Sequence, residues 1–448
     1  MTGRRIVVLA VLQVCAACGD DLQRGDELVT AVSGSRLAVQ KYRYDDGTEL
    51  AVAGEFYDTE LHVRCRPQAW PDGDVRCVPI VDDAVYADAA CTALVGLGRT
   101  IARPAYFLAY DNRASGAVPV RVFRAGGAAT AITQSYAIAD GACVGPTPVP
   151  TDLMRFFEVG DELDGSALIA FRGGELGDGR LGLQLRETDD GLRVPIGLRD
   201  RALDIACTPR LQGNGGVACE PIDAFPAAYF SDPACNEPAL AVAATAIPTI
   251  ARLVEPSGCA RYYRVGRELS PPIYRRDGNA CAVVAPLEGR LFSADTAIEL
   301  PALERSREVV RGRRLQRVVL DHDGLRFLDE RLFDTATGAE CTARAVRDGI
   351  RCLPATVASI GLFTEGCTTL VRVAELPQHM CERVAFATTN RPFQLFDIGD
   401  PVAGTLYRRD AGMCRPYTGP PGTELRSLGP PLDLASFMAG IYFGERSP

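Results

Sequence analysis

The sequence predicts an all-β protein made of three tandem, disulfide-stapled repeats of about 140 residues, and two observations carry the prediction. First, one series of residues occurs three times: an Arg-Leu pair, an Asp-Gly, an Asp, then cysteines at fixed steps. It runs through Arg36, Asp46, Asp58, Cys65, Cys77 and Cys91, then Arg180, Asp190, Asp200, Cys207, Cys219 and Cys235. The third copy is Arg314, Asp323, Asp334, Cys341, Cys352 and Cys367. The Asp-to-Cys step is seven residues in each copy, and a second step of seven joins Tyr136 to Cys143, Tyr274 to Cys281 and Tyr407 to Cys414. Second, short apolar runs are broken by turn residues, with 44 glycines and 30 prolines in 448 residues and no long stretch of helical periodicity.

Taken in order, each copy opens with a hairpin. AVQKYRYDDGTELAVAG, LQLRETDDGLRVPIGL and RVVLDHDGLRFLDERLF all place Asp-Gly between apolar runs, where glycine tolerates the positive φ of a tight turn. A second hairpin follows, around PDGD, GNGG or RDG. Shorter strands such as TIARLV, RYYRV and FQLF complete each copy. Eight to twelve strands per copy make a six-bladed β-propeller the expected closure, with tandem independent β-domains as the alternative. The C-terminal AGIYFGERS loosely resembles the segment before each Arg-Leu pair, such as LVTAVSGSRL at 28–37, so a strand shared between the two ends could close a ring. The expected divisions are 1–17, 18–34, 35–178, 179–312 and 313–448.

Twelve cysteines form the repeated quartet, and four positions allow three pairings. The first two of each quartet lie eleven or twelve residues apart around a turn, which places them across a hairpin within bonding distance. The expected bridges are therefore Cys65–Cys77, Cys207–Cys219 and Cys341–Cys352, with Cys91–Cys143, Cys235–Cys281 and Cys367–Cys414 joining the two halves of each copy. Zinc would call for closely paired ligands. The mature chain has no CxxC, and His62, His322 and His379 fall at non-equivalent positions. Cys259 and Cys381 stand outside the quartets, as partners of each other or as buried thiols.

The N-terminus reads as an address. MTGRR is basic, IVVLAVLQV is apolar but too short to span a bilayer, and CAACGDD follows. This pattern resembles the lipobox of bacterial lipoproteins, with Cys15 standing where leucine is usual. The resemblance covers residues 1–21 and implies that Cys18 is lipidated and becomes the mature N-terminus. It implies export, a membrane anchor at the cell envelope, and an oxidising compartment in which the cysteines pair.

Composition narrows function by exclusion. A net charge of −9 with no basic stripe argues against nucleic acid as a partner. Asp321 to Gly324 resembles part of a calcium loop but lacks the later oxygen ligands, and a turn accounts for it. Asp58, Asp200 and Asp334 read as carboxylates capping turn amides, the functional alternative being a ring of acids holding a cation. Serine-hydrolase motifs are missing, whereas a carboxylate pair among 57 acidic residues is not excluded. Trp70, the single tryptophan, sits at a hairpin tip, as a sugar platform or as packing on its own hairpin. The expectation is a monomeric envelope lipoprotein, without cofactor, metal or catalytic activity, that presents a binding surface to a protein or glycan. The alternatives are an envelope hydrolase acting on carbohydrate and a purely structural envelope protein.

Overall fold

The computed structural model describes residues 28–100, 103–111, 118–139, 141–150, 152–212, 216–242, 247–254, 259–277, 280–284, 289–377, 386–390, 393–410, 412–417, 419 and 423–444. Fifteen strands form its frame. The first unit supplies β1 (Leu37–Tyr44), β2 (Glu49–Asp58), β3 (Val63–Ala69) and β4 (Val75–Pro79). A linker strand β5 (Ala170–Leu176) leads to β6 (Leu181–Glu187), β7 (Arg193–Asp200), β8 (Ile205–Leu211) and β9 (Val217–Pro221) of the second. Linker β10 (Ala302–Glu308) leads to β11 (Leu315–His322), β12 (Leu325–Asp334), β13 (Ala339–Val346) and β14 (Gly349–Pro354) of the third. The last linker, β15 (Ala439–Gly444), returns to the start.

Every neighbour in this series is paired antiparallel. β5 joins β4 to β6, β10 joins β9 to β11, and β15 joins β14 to β1. The hydrogen-bonded path is therefore a closed circuit, and the C-terminal strand closes it. Six separate four-stranded blades are not seen, because a fifth strand after each four-stranded meander joins it edge to edge with the next. Fifteen alternating directions cannot close a plain cylinder, so the strands must bend. Each long hairpin does so at one bulge, between Val39 and Lys41, Gln184 and Leu185, or Arg317 and Val319.

The bend has a packing consequence. The base of each hairpin fills the core of its own unit, while its tip fills the core of the unit before it in the ring. Leu37, Val39, Phe56, Cys65 and Cys77 enclose Leu192 and Val194 from the second hairpin. Leu181, Leu183, Leu198, Cys207 and Cys219 enclose Leu320, Leu325 and Phe327 from the third. Leu315, Leu332, Cys341 and Cys352 enclose Tyr44, with Tyr42 and Leu50 beside it, from the first. Each exchanged Leu, Val or Phe contributes about 1.5–3 kcal/mol of burial, so the units hold one another. Leu28 and Val29 add a short parallel strand to β12.

The second half of each unit hangs from this ring. In the third unit it is a closed five-stranded barrel: Thr356–Phe363, Leu370–Pro377, Thr423–Pro431, Phe393–Pro401 and Phe386–Asn390, the last parallel to the first. The same order recurs in the first unit, with a parallel bridge from Asp83 to Leu108, and in the second, where Phe225–Pro226 runs parallel to Ile250–Val254.

Candidate functional site

The disulfides join Cys65 to Cys77, Cys207 to Cys219 and Cys341 to Cys352 within the ring. Cys91 to Cys143, Cys235 to Cys281 and Cys367 to Cys414 tie a barrel turn to an outlying hairpin. The ring pairs are diagonal rather than directly opposite, since Cys65 faces Pro79 and Cys77 faces Pro67. Strand twist brings such diagonal positions together, here to a Cα separation of 5.2 Å. Cys91, Cys235 and Cys367 share a left-handed backbone, with φ of 52°, 54° and 52°. Cys259 is also disulfide-bonded. Cys381, Cys18 and the rest of the N-terminal address lie outside the described residues.

The three repeated aspartates are buried and each faces its own arginine. Arg36 holds Asp58 at 2.9 and 2.7 Å, Arg180 holds Asp200 at 3.1 and 2.8 Å, and Arg314 holds Asp334 at 2.6 Å through both nitrogens. The same guanidinium groups donate to the carbonyls of Ala167, Glu299 and Ser436, just before the linker strands. Asp58 also accepts from the amides of Glu60 and Leu61. These carboxylates are turn caps neutralised by arginine. Among the described residues no group of three or more His, Cys, Asp or Glu is placed to hold a metal ion.

The Asp-Gly turns do more than turn. Asp190 Oδ2 accepts the amides of Arg36 (2.8 Å) and Leu37 (2.7 Å) in the first unit, and Asp46 Oδ2 accepts the amide of Leu315 (2.7 Å) in the third. Asp323 lies against Gly179, where an added Cβ would come within 3.2 Å of its Oδ2. Burial opposes the charge on Asp46 and Asp190, yet hydrogen bonds from these amides and from Thr48 or Thr188 hold both below the ordinary carboxylate range. Sequence spacing gave no sign of this role, because each partner lies more than 140 residues away.

Trp70 is half-buried in the junction between the first meander and its barrel. Its Nε1 would lie 2.6 Å from a Cβ at Gly165, so the indole rests on the glycine turn that precedes β5.

Against this constant frame, one position differs in each unit. Five residues after the Arg-Leu leucine stand Tyr42, Arg186 and Leu320. Their cross-strand partners on the linkers are Tyr442, Gly173 and Arg305. Three residues before each fork aspartate stand Glu55, Gly197 and Arg331, and one before each first cysteine stand Arg64, Ala206 and Glu340.

Where the ring closes, this position is aromatic. Tyr42 and Tyr442 meet edge to face at 5.9 Å, and the Arg64 guanidinium lies 5.3 Å from the Tyr442 ring centre. The Tyr442 hydroxyl donates to Glu55 at 2.9 Å, and burial pushes its pKa up to about 12, so it stays protonated as a donor. On the other face of β15, Ile441 is 60% exposed and Arg43 lies 3.7 Å from the Phe443 ring centre. In the third unit the position is charged, with Arg331 on Asp329 and Glu340, and Arg305 on Glu340. In the second unit it is small and open. Half-buried aromatic rings with arginines over them are a contact chemistry for sugars and proteins, which makes the closing strand the candidate binding region.

A cavity of about 430 Å³ at the second hairpin is lined by Val32, Arg172, Glu187, Thr188, Gly191, Leu192 and Arg193. Glu187 is its one carboxylate, and Arg193 holds it at 2.7 Å. Among the described residues no helix is long and apolar enough to cross a membrane. The family described as "Family of unknown function (DUF7481)" matches residues 11–437. No curated protein and no solved structure matches the chain.

Proposed function

The chain belongs to the DUF7481 family, and we propose that it is a cell-envelope lipoprotein, exported and anchored through Cys18, that binds a protein or glycan without catalysing a reaction. One observation carries this reading: the three units keep the same disulfides and Arg–Asp forks, yet fill one equivalent surface position with Tyr442, Gly173 or Arg305. A repeated frame with a varied surface suits recognition by a broad face. The closing strand is the contact region, with Tyr442 and Arg64 presented on one of its faces and Ile441, Phe443 and Arg43 on the other.

The test uses a soluble Cys18→Ser protein, exported to an oxidising compartment, on an array of purified envelope polysaccharides and envelope proteins. Binding to a defined member, lost at least tenfold in a Tyr442→Ala/Phe443→Ala variant with unchanged thermal midpoint, supports the reading. Turnover of a polysaccharide would replace it with the hydrolase, and self-association without ligand with the structural protein.

A further inference from the structure

Arg186 differs from the arginines around it in the second unit and at the three forks. Arg36, Arg180 and Arg314 sit on buried aspartates, Arg193 on Glu187, Arg201 on Glu175 and Arg172 on Asp189. Arg186 is half-buried, and among the described residues its side chain makes no hydrogen bond, ion pair or ring contact. Its pKa is lowered, and burial alone is the cause, so no nearby negative charge offsets the lost hydration. A partly desolvated cation without a counter-charge is costly. The acids nearest in the ladder, Glu175, Glu187 and Asp189, are already paired.

The surroundings supply space where the other two units supply partners. Gly173 stands directly across from Arg186 in the ladder, and a Cβ added there would meet nothing within 4 Å. Gly197 and Ala206 hold the places that Glu55 and Arg64, or Arg331 and Glu340, fill elsewhere. The Gln184 side-chain oxygen lies 3.8 Å from where a Cβ on Gly197 would be, which places an amide at the margin. The other units thus close the position with internal groups, and the second leaves it open beside a cation.

We infer that Arg186 is the cation of an oxyanion-binding subsite in the second unit, and that it receives a carboxylate or phosphate group of a ligand against the floor formed by Gly173 and Gly197. The planar guanidinium matches both groups, which accept two parallel hydrogen bonds. The subsite is separate from the closing strand, and its test does not depend on binding there.

Calorimetric titration of the soluble protein at fixed ionic strength uses three probes: inorganic phosphate, acetate and glucuronate. Saturable binding by at least one probe is expected, and their rank separates a phosphate ligand from a simple or sugar carboxylate. Arg186→Gln removes the charge, and Gly173→Glu sets a carboxylate across from it. Each should weaken binding at least tenfold, and Gly173→Glu should also raise the thermal midpoint without ligand, because it supplies the missing counter-charge. Lack of binding by all three probes to the wild-type protein would overturn the inference. So would equal affinity in whichever variant folds.

Discussion

Replacing Asp190 with alanine tests how far the ring depends on contacts between units. Its carboxylate holds the amides of Arg36 and Leu37, 154 and 153 residues earlier in the chain. Leu37 is completely buried, so its orphaned amide would find no water, at a cost of about 1–3 kcal/mol. The Arg36 amide is less enclosed and adds less, for a total of about 2–4 kcal/mol. Asparagine keeps one acceptor oxygen and should cost about 1 kcal/mol. The assay is urea unfolding of the Cys18→Ser protein with disulfides intact, followed by the fluorescence of Trp70. That residue is the single tryptophan, in the unit whose core receives the second hairpin. Folding lowers the Asp190 pKa, so the contact contributes fully above the unfolded value of about 3.9 and is lost as the pH falls below it through the depressed folded value. The wild type and Asp190→Ala should therefore converge in acid and separate above pH 5. A difference within about 0.5 kcal/mol from pH 5 to 8, the range of an ordinary surface change, would refute the reasoning.

Three further outcomes are expected. Arg314→Met strands the buried Asp334 carboxylate, whose side chain is 1% exposed, and should cost about 3–5 kcal/mol; adding Asp334→Leu should restore most of it in urea unfolding. Gly165→Ala forces a methyl against the Trp70 indole and should cost about 1–3 kcal/mol, with a shift in the tryptophan emission maximum. Non-reducing peptide mapping should recover the six bridges from Cys65–Cys77 to Cys367–Cys414 and find Cys259 oxidised; a free thiol at any of these positions contradicts the structure.

The repeat, the strand class and the cysteine partners were legible because each rests on local spacing recorded three times. A turn between Cys65 and Cys77 limits where their side chains can go, whatever the rest of the chain does. Ring closure was visible only as a faint likeness of the C-terminus to the segments before each Arg-Leu pair. Before Arg180 and Arg314 those segments are the linkers β5 and β10, the counterparts of β15, whereas residues 28–37 are not a linker. Counting strands suggested blades because spacing along the chain does not reveal edge-to-edge pairing. The exchange of Leu192 and Val194 into the first core depends on a bend at a bulge, which has no sequence signature. The contrast between Tyr442, Gly173 and Arg305 was hidden for a related reason. The linkers lack cysteines to align them, and only the ladders show that the three positions correspond.

Amide hydrogen exchange over Ala439–Gly444 tests the closed ring most directly. In the structure this strand is paired on both edges, with β14 through Gly440 and Ala439 and with β1 through Gly440 to Gly444. Its amides should exchange as slowly as those of β5 and β10, which join the other units. Exchange of this peptide at the rate of a free chain, while β5 and β10 stay protected, would mean that the circuit is open and that the three units are a row.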